Sequence, residues 1–257
     1  MTQLIERIEA NTAILTISHP PANTWTEQGL FNLKNKIIEL NNNPDIYALV
    51  LTGEGKKFFS AGADLNIFAD GDKGKAISMA MAFGSAFQTL SQFRGVSIAA
   101  INGYAMGGGL EVALACDIRI AESQAIMALP EASVGLLPCA GGTQNLTALI
   151  GEGWAKRMIL CGEKVKAEKA LQLGLVEEIT NQGDALGVAI ALAAKVANQS
   201  PSSVAVCKNL IQSGRTMPRE QALPLEREYF VGLFDTEDQK EGVNAFLEKR
   251  KPCWKNR

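Results

Sequence analysis

Two acidic residues lie in apolar runs. Glu111 is followed by Val112-Ala113-Leu114-Ala115, and Glu131 stands between Ile126-Met127-Ala128-Leu129-Pro130 and Ala132-Ser133-Val134. A carboxylate buried there must find a partner or raise its pKa, because an unpaired buried charge is costly. Two such carboxylates can divide acid and base work, since environment decides which one holds a proton. The plainer readings are a salt bridge from Glu111 to Arg119 and a surface helix start at Pro130-Glu131. The chain has a single histidine, His19. That count excludes a multi-histidine metal site and leaves little room for a Ser-His-Asp or Cys-His nucleophile system. His19 ends a strand before Pro20-Pro21 and is expected to be catalytically idle.

Glycine-rich loops accompany these acids. Ser60-Ala61-Gly62-Ala63-Asp64 follows one predicted strand, and Gly107-Gly108-Gly109 follows another and opens the helix carrying Glu111. The first amides of a helix lack intrahelical partners and point along the positive end of its dipole. Glycine there lets a ligand approach closely, so an anion or a developing oxyanion is the natural guest. A tight strand–helix crossing explains the triplet equally well. A phosphate loop does not: GxxxxGK[ST] is missing, and Gly107-x-Gly109-x-x-Val112 lacks its third glycine. Asp64 is placed as a turn or helix cap. Lys56 and Lys57 read as solvated loop residues, and Cys116 and Cys139 as inert core or near-core thiols.

The elements around these residues form an α/β pattern. Thr12–Ser18, Tyr47–Thr52, Val96–Ile101, Ile118–Ala121, Ala125–Leu129 and Val176–Ile179 read as strands. Helical spacing runs over Thr26–Asn41 and Ala76–Phe93, with Met79, Phe83, Phe87 and Leu90 as a core stripe in the second. Gly53–Asp64 and Gly103–Gly109 read as loop and turn, and short helices follow at Leu110–Cys116, from Thr143, and at Gly153–Leu160 and Ala167–Leu173. Strands alternating with helices imply α/β architecture. From Ala185 onward only helical patterns occur: Ala185–Asn198, Ser202–Ser213, Met217–Thr236 and Glu237–Lys249. A helical region from about residue 198 is therefore expected.

Composition narrows the function classes. The 257 residues include 25 basic and 27 acidic side chains, a formal net charge of −2. No basic excess draws the chain to nucleic acid or an anionic membrane. Apolar residues make up 47% and charged residues 20%, the balance of a globular protein of one or two domains. The five cysteines form no CxxC pair, which argues against a zinc site or disulfide framework and for free thiols in a reducing compartment. Glu6 and Glu9 stand where a signal peptide would be apolar, and the uncharged stretch 132–151 is broken by Pro138, Gly141 and Gly142. A cytoplasmic protein without a membrane span is expected.

Taken together, four blocks resemble the crotonase (enoyl-CoA hydratase/isomerase) superfamily. They are Phe59–Leu65 (family pattern F-x-AGAD-L), Asn102–Asp117 (NGYAxGGGxELALxCD), Pro130–Gln144 (PEhxhGhxPxxGGTQ) and Thr236–Trp254. They span nearly the whole chain in the family's order and spacing. The resemblance implies a spiral of repeated ββα units over residues 1–197, holding the active site, and a helical oligomerisation region over 198–257. It implies an acyl-CoA thioester substrate, no separate cofactor and no metal, since coenzyme A belongs to the substrate. It also implies a homo-oligomer, either a trimer or a dimer of trimers.

The site residues follow from the same likeness. The backbone amides of Ala63 and Gly108 match the family's oxyanion-hole donors, and Glu111 and Glu131 match the two glutamates of its hydratases. Ala61, Asp64, Leu65, Gly107, Pro130, Leu136 and Cys139 are expected to contact substrate, and Gly71–Met81 with the C-terminal helices to wall the acyl pocket. Glutamate at both positions favours an enoyl-CoA hydratase, adding water in syn fashion across the 2,3 double bond. The alternatives are a 3,2-enoyl-CoA isomerase of the same fold and a catalytically weakened CoA-binding protein. Four positions depart from the hydratase pattern: Leu129 where Gln is usual before Pro-Glu, Cys139 where the PGAGGT loop has glycine, Asn145 for Arg, and Asn66 for Lys. These changes bear on acyl specificity and CoA affinity.

Overall fold

The computed structural model describes residues 3–257. Two strands open the chain, β1 (Leu4–Glu9) and β2 (Thr12–Ile17), followed by α1 (Glu27–Asn42). Three successive units then have two strands and a helix each. They are β3 (Ala48–Gly53), β4 (Phe58–Ser60) and α2 (Lys73–Ser91); β5 (Val96–Ile101), β6 (Tyr104–Met106) and α3 (Gly108–Ala115); and β7 (Ile118–Glu122), β8 (Ile126–Ala128) and α4 (Gly142–Leu160). After them come β9 (Val165–Lys166), α5 (Ala167–Leu173), β10 (Glu178–Thr180) and α6 (Ala185–Val196). The chain finishes with α7 (Pro201–Ser213), α8 (Arg219–Gly232) and α9 (Glu237–Leu247).

Each ββα unit places its first strand in one sheet and its second in another. The larger sheet runs β1-β2-β3-β5-β7-β10 and the smaller β4-β6-β8-β9. β1 and β2 form an antiparallel hairpin, whereas β2, β3, β5, β7 and β10 pair in parallel. The repetition makes the crotonase-type spiral. Its strands read as unbroken apolar runs because both faces are covered. On one face Leu15, Leu49, Leu51, Ala99 and Ile101 join the main core. On the other, Ile14, Val50, Ile98, Ala100 and Ile120 meet Ala185, Ala189 and Ala193 of α6. So α6 belongs to the sheet's own layering.

Four strands, β1, β4, β6 and the two-residue β9, are additional to the sequence reading. β1 is an edge strand whose Ile5 and Ile8 are half exposed, so its apolar residues carry no burial pattern. β4 and β6 have three residues each and lie inside segments read as loop and glycine turn. Their value is positional: they end where the two glycine-rich loops begin. The stripe Met79, Phe83, Phe87 and Leu90 is buried as its spacing predicts.

The C-terminal helices are fastened to this frame by polar contacts. Lys208 Nζ of α7 donates to Phe93 O at 2.6 Å, Gly95 O at 3.0 Å and Asp117 Oδ2 at 2.7 Å. The buried Asp238 of α9 accepts from Ser200 and Ser202 Oγ and from the amides of Lys255 and Asn256.

Candidate active site

The loop after β4 is fixed atom by atom. Ser60 Oγ donates to Asn23 O at 2.7 Å, the Ala61 amide donates to Ala22 O at 3.0 Å, and Gly62 O accepts from Trp25 N at 2.8 Å. The Ala63 amide, next in line, has no acceptor among the described residues. The loop after β6 turns at Gly107, whose φ of 54° and ψ of −127° only glycine adopts readily. This turn starts α3 at Gly108, whose amide likewise has no acceptor among the described residues.

The two loops touch backbone to backbone. A Cβ on Gly62 would stand 2.9 Å from Gly108 N and 2.8 Å from Met106 O, so no side chain fits between them. The result is a pair of unspent amides on adjoining loops, one of them at a helix N-terminus. Such donors stabilise negative charge that develops between them.

Glu111 lies in the first turn of α3, buried with only 2% exposure. Its Oε1 accepts from Ala140 N at 2.7 Å and from Gly142 N, the first amide of α4, at 2.9 Å. The expected salt bridge to Arg119 does not form. Arg119 instead donates to Leu175 O and Cys116 O, both at 2.9 Å, and pairs with Glu177. Burial pushes the Glu111 pKa up, and the two amides pull it back. Those amides reward only the ionised form.

Glu131 begins a 3₁₀ turn, Glu131–Val134, directly after Pro130. Its carboxyl reaches the Gly107 turn, where a Cβ would lie 3.1 Å from Oε1. Its Oε2 is buried without a hydrogen-bond partner. Burial pushes its pKa up to about 7, and the nearby Glu111 charge adds to the rise. The two acids thus differ as an acid–base pair requires: one carboxylate is held by amides, and the other carboxyl favours its proton.

A cavity of about 740 Å³ brings these groups together. Ala61, Ala63, Leu65, Gly107, Gly108, Glu111, Pro130, Glu131, Leu136 and Cys139 all line it. Asp64 does not; its carboxylate caps the following turn, accepting from Asn66 N at 3.0 Å. Its placement as a cap holds, and its expected substrate contact has no counterpart in this geometry. Cys139 is exposed to the cavity rather than packed in the core, which corrects the core-thiol reading, and burial beside the two glutamates pushes its thiol up to about 11. Cys116 is buried.

His19 bonds Thr24 Oγ1 through Nδ1 at 2.9 Å and does not line the cavity. Met79 and Phe83 face both core and cavity, so the stripe on α2 has two functions. Of the segment Gly71–Met81, Ala76, Met79 and Ala80 form wall; Gly71 and Met81 do not. The Ala140 and Gly142 amides were the features sequence reasoning missed. The doublet Gly141-Gly142 at a helix start was the available sign. Among the described residues no cluster of three or more His, Cys, Asp or Glu could hold a metal, and no helix is long and apolar enough to cross a membrane.

Comparison with known proteins gives a consistent picture. A family model described as enoyl-CoA hydratase/isomerase matches residues 7–257. The short-chain-enoyl-CoA hydratase of Clostridium acetobutylicum is 36% identical over 252 residues, covering 98% of this chain and 97% of that protein. The structure of Pseudomonas aeruginosa DspI is 64% identical with a TM-score of 0.97, covering 99% of this chain and 97% of that one. The crystal structure of enoyl-CoA hydratase from Bacillus anthracis is 33% identical with a TM-score of 0.95, covering 100% of both chains.

Proposed function

Because the chain belongs to the enoyl-CoA hydratase/isomerase family, we propose that its cavity binds a 2-enoyl-CoA thioester and adds water across the 2,3 double bond. The observation that carries this reading is the asymmetry of the two acids. Glu111 Oε1 is held by two amides, and Glu131 Oε2 is buried and unpartnered.

Ionised Glu111 takes a proton from a water molecule, whose oxygen bonds to C3. The π electrons of C2=C3 shift toward the thioester carbonyl, and the enolate oxygen draws on the Ala63 and Gly108 amides. Protonated Glu131 then gives its proton to C2. The product is the 3-hydroxyacyl thioester; Glu111 ends protonated and Glu131 ionised, and one proton exchange with solvent resets the pair. Both acids act on one face, so the addition is syn. Positioned acids and bases contribute about 10²–10⁴-fold each, and losing one oxyanion donor typically costs about 10²–10³-fold.

The test is loss of the conjugated thioester absorbance with crotonyl-CoA and longer homologues. No hydration at any chain length would overturn the assignment.

Two further parts of the reading follow. Residues 198–257 serve as an oligomerisation region, forming a trimer or dimer of trimers. Support comes from Tyr229, Phe230, Val231, Phe234, Phe246 and Leu247, each between 47% and 82% exposed. Exposed apolar surface of that kind marks association sites, and sedimentation at micromolar concentration gives the answer directly: a monomer rejects it. The protein works in the cytoplasm, a setting with which its five free thiols agree.

A further inference from the structure

The two free amides are aimed from the far ends of their peptides. In a trans peptide the C=O and N–H of one planar unit point opposite ways. Gly62 O and the Ala63 amide share such a unit, and Gly62 O accepts from Trp25 N at 2.8 Å. Trp25 thereby turns the Ala63 N–H away from itself, on the side of the cavity that Ala63 lines. Gly107 O and the Gly108 amide share another unit. Gly107 O accepts from Leu110 N at 2.8 Å and Glu111 N at 2.9 Å, inside α3, which sends the Gly108 N–H out of the helix start.

Side chains connect these two anchorages. Trp25 is fully buried, and its ring meets Phe87 of α2 edge-on, with centroids 6.2 Å apart and planes at 71°. Phe87 meets Phe83 edge-on in the same way, at 5.4 Å and 77°, one turn away on the same helix. Phe83 lies against Gly108, where an added Cβ would stand 2.7 Å from its Cε1. A chain of rings thus runs from the backbone that aims Ala63 to the backbone that offers Gly108. Edge-to-face pairs favour one relative orientation as well as one distance. The indole is not held by a hydrogen bond: Nε1 is buried without an acceptor among the described residues. An unpaired buried donor opposes folding, so what recommends tryptophan at this position is its ring shape and not its polar edge.

We propose that the stack Trp25–Phe87–Phe83 holds the Ala63 and Gly108 amides at the spacing an enolate oxygen needs, with Trp25 as a positioning residue. This rests on the hydratase reading of the site. Trp25 and Phe87 do not line the active-site cavity, so they act on the reaction through the two amides and not by touching substrate.

Trp25→Leu removes the first ring, and Trp25→Phe keeps a ring while dropping the indole N–H. For crotonyl-CoA hydration, Trp25→Leu is expected to lower kcat about tenfold or more, since a misplacement of about 1 Å can cost 10²-fold. KM should stay within about twofold, because the two amides draw hardest on charge that develops in the transition state. Trp25→Phe should recover most of the loss. Cinnamoyl-CoA supplies a reading without turnover: its conjugated absorbance moves to longer wavelength when donors draw electrons onto the thioester oxygen. Wild type is expected to produce that shift, and Trp25→Leu to bind the thioester and lose most of it. Phe87→Leu breaks the stack at its centre with a smaller change of volume, and covers the case in which Trp25→Leu fails to fold. Wild-type kcat and an undiminished shift in the folded variants overturn the proposal, as does a Trp25→Phe variant no better than Trp25→Leu, or no shift in wild type. The chemistry is read separately. A shift lost in the variants, with no hydration of crotonyl-CoA by wild type, rejects the hydratase reading and leaves the stack standing. Hydration with a shift that survives in both variants does the reverse.

Discussion

Glu111 Oε1 accepts a hydrogen bond from Gly142, the first amide of α4, at 2.9 Å. A buried carboxylate thus sits at the positive end of a helix 31 residues along the chain, a placement that favours its ionised form against the opposing effect of burial. Gly142 must lack a side chain for this to occur. A Cβ there would stand 2.8 Å from both Glu111 Oε1 and Pro138 Cβ. Gly142→Ala is expected to displace the carboxylate and lower kcat for crotonyl-CoA hydration by about tenfold or more, because a misplacement of about 1 Å can cost 10²-fold. Steady-state assays with a melting curve for the folded fraction check it; wild-type kcat in a folded variant refutes it.

Glu111→Gln and Glu131→Gln remove the base and the acid while keeping shape. Each is expected to reduce kcat at least about 10²-fold, the lower bound for a positioned proton-transfer group. A 3,2-isomerase would respond differently, with Glu111→Gln nearly silent. An effect below threefold at either residue removes that residue from the mechanism.

The pH dependence follows from the same asymmetry. Glu131 must be protonated to hydrate, and its pKa is pushed up to about 7. Hydration kcat/KM should therefore fall as pH rises through about 7, and Glu131→Gln should abolish that alkaline limb. Stability moves with the same sign. Between the ordinary value of 4.5 and about 7 the folded protein holds a proton on Glu131 that the unfolded chain has released. The contribution is complete below 4.5 and is lost as pH approaches 7. The raised pKa of Glu111 acts in the same direction. Glu131→Gln should accordingly flatten, without abolishing, the decline in urea stability from pH 4.5 to 7.

Periodic features were legible in sequence, and features carried by the main chain were not. The stripe from Met79 to Leu90 and the continuous strand Ala48–Gly53 follow from burial, which selects side chains at a fixed repeat. The two glutamates stand out because carboxylates are rare in apolar runs. The partners of Glu111 are main-chain amides, which every residue but proline has, so no residue type announces Ala140 or Gly142; Arg119, the partner that residue type suggests, binds Glu177 instead. β4 and β6 are too short to show a repeat.

Lys208 and Asp117 join the helical tail to the spiral. Lys208 is 9% exposed and Asp117 20% exposed at the side chain, with 2.7 Å between Nζ and Oδ2. Asp117 Oδ2 also accepts from Ser97 N and Oγ, and Lys208 serves two main-chain carbonyls, Phe93 O and Gly95 O. Lys208→Met strands all three acceptors. Breaking one side of a buried pair costs about 3–5 kcal/mol, and the partial exposure of Asp117 places this case near the lower figure. Urea denaturation should register that loss. Asp117→Asn added to Lys208→Met should recover part of it, since the uncompensated charge is then gone while the two carbonyls remain unserved. Hydration of crotonyl-CoA should persist, because Lys208 contacts neither glutamate nor the two free amides. A loss below about 1 kcal/mol would place the pair among ordinary surface bridges.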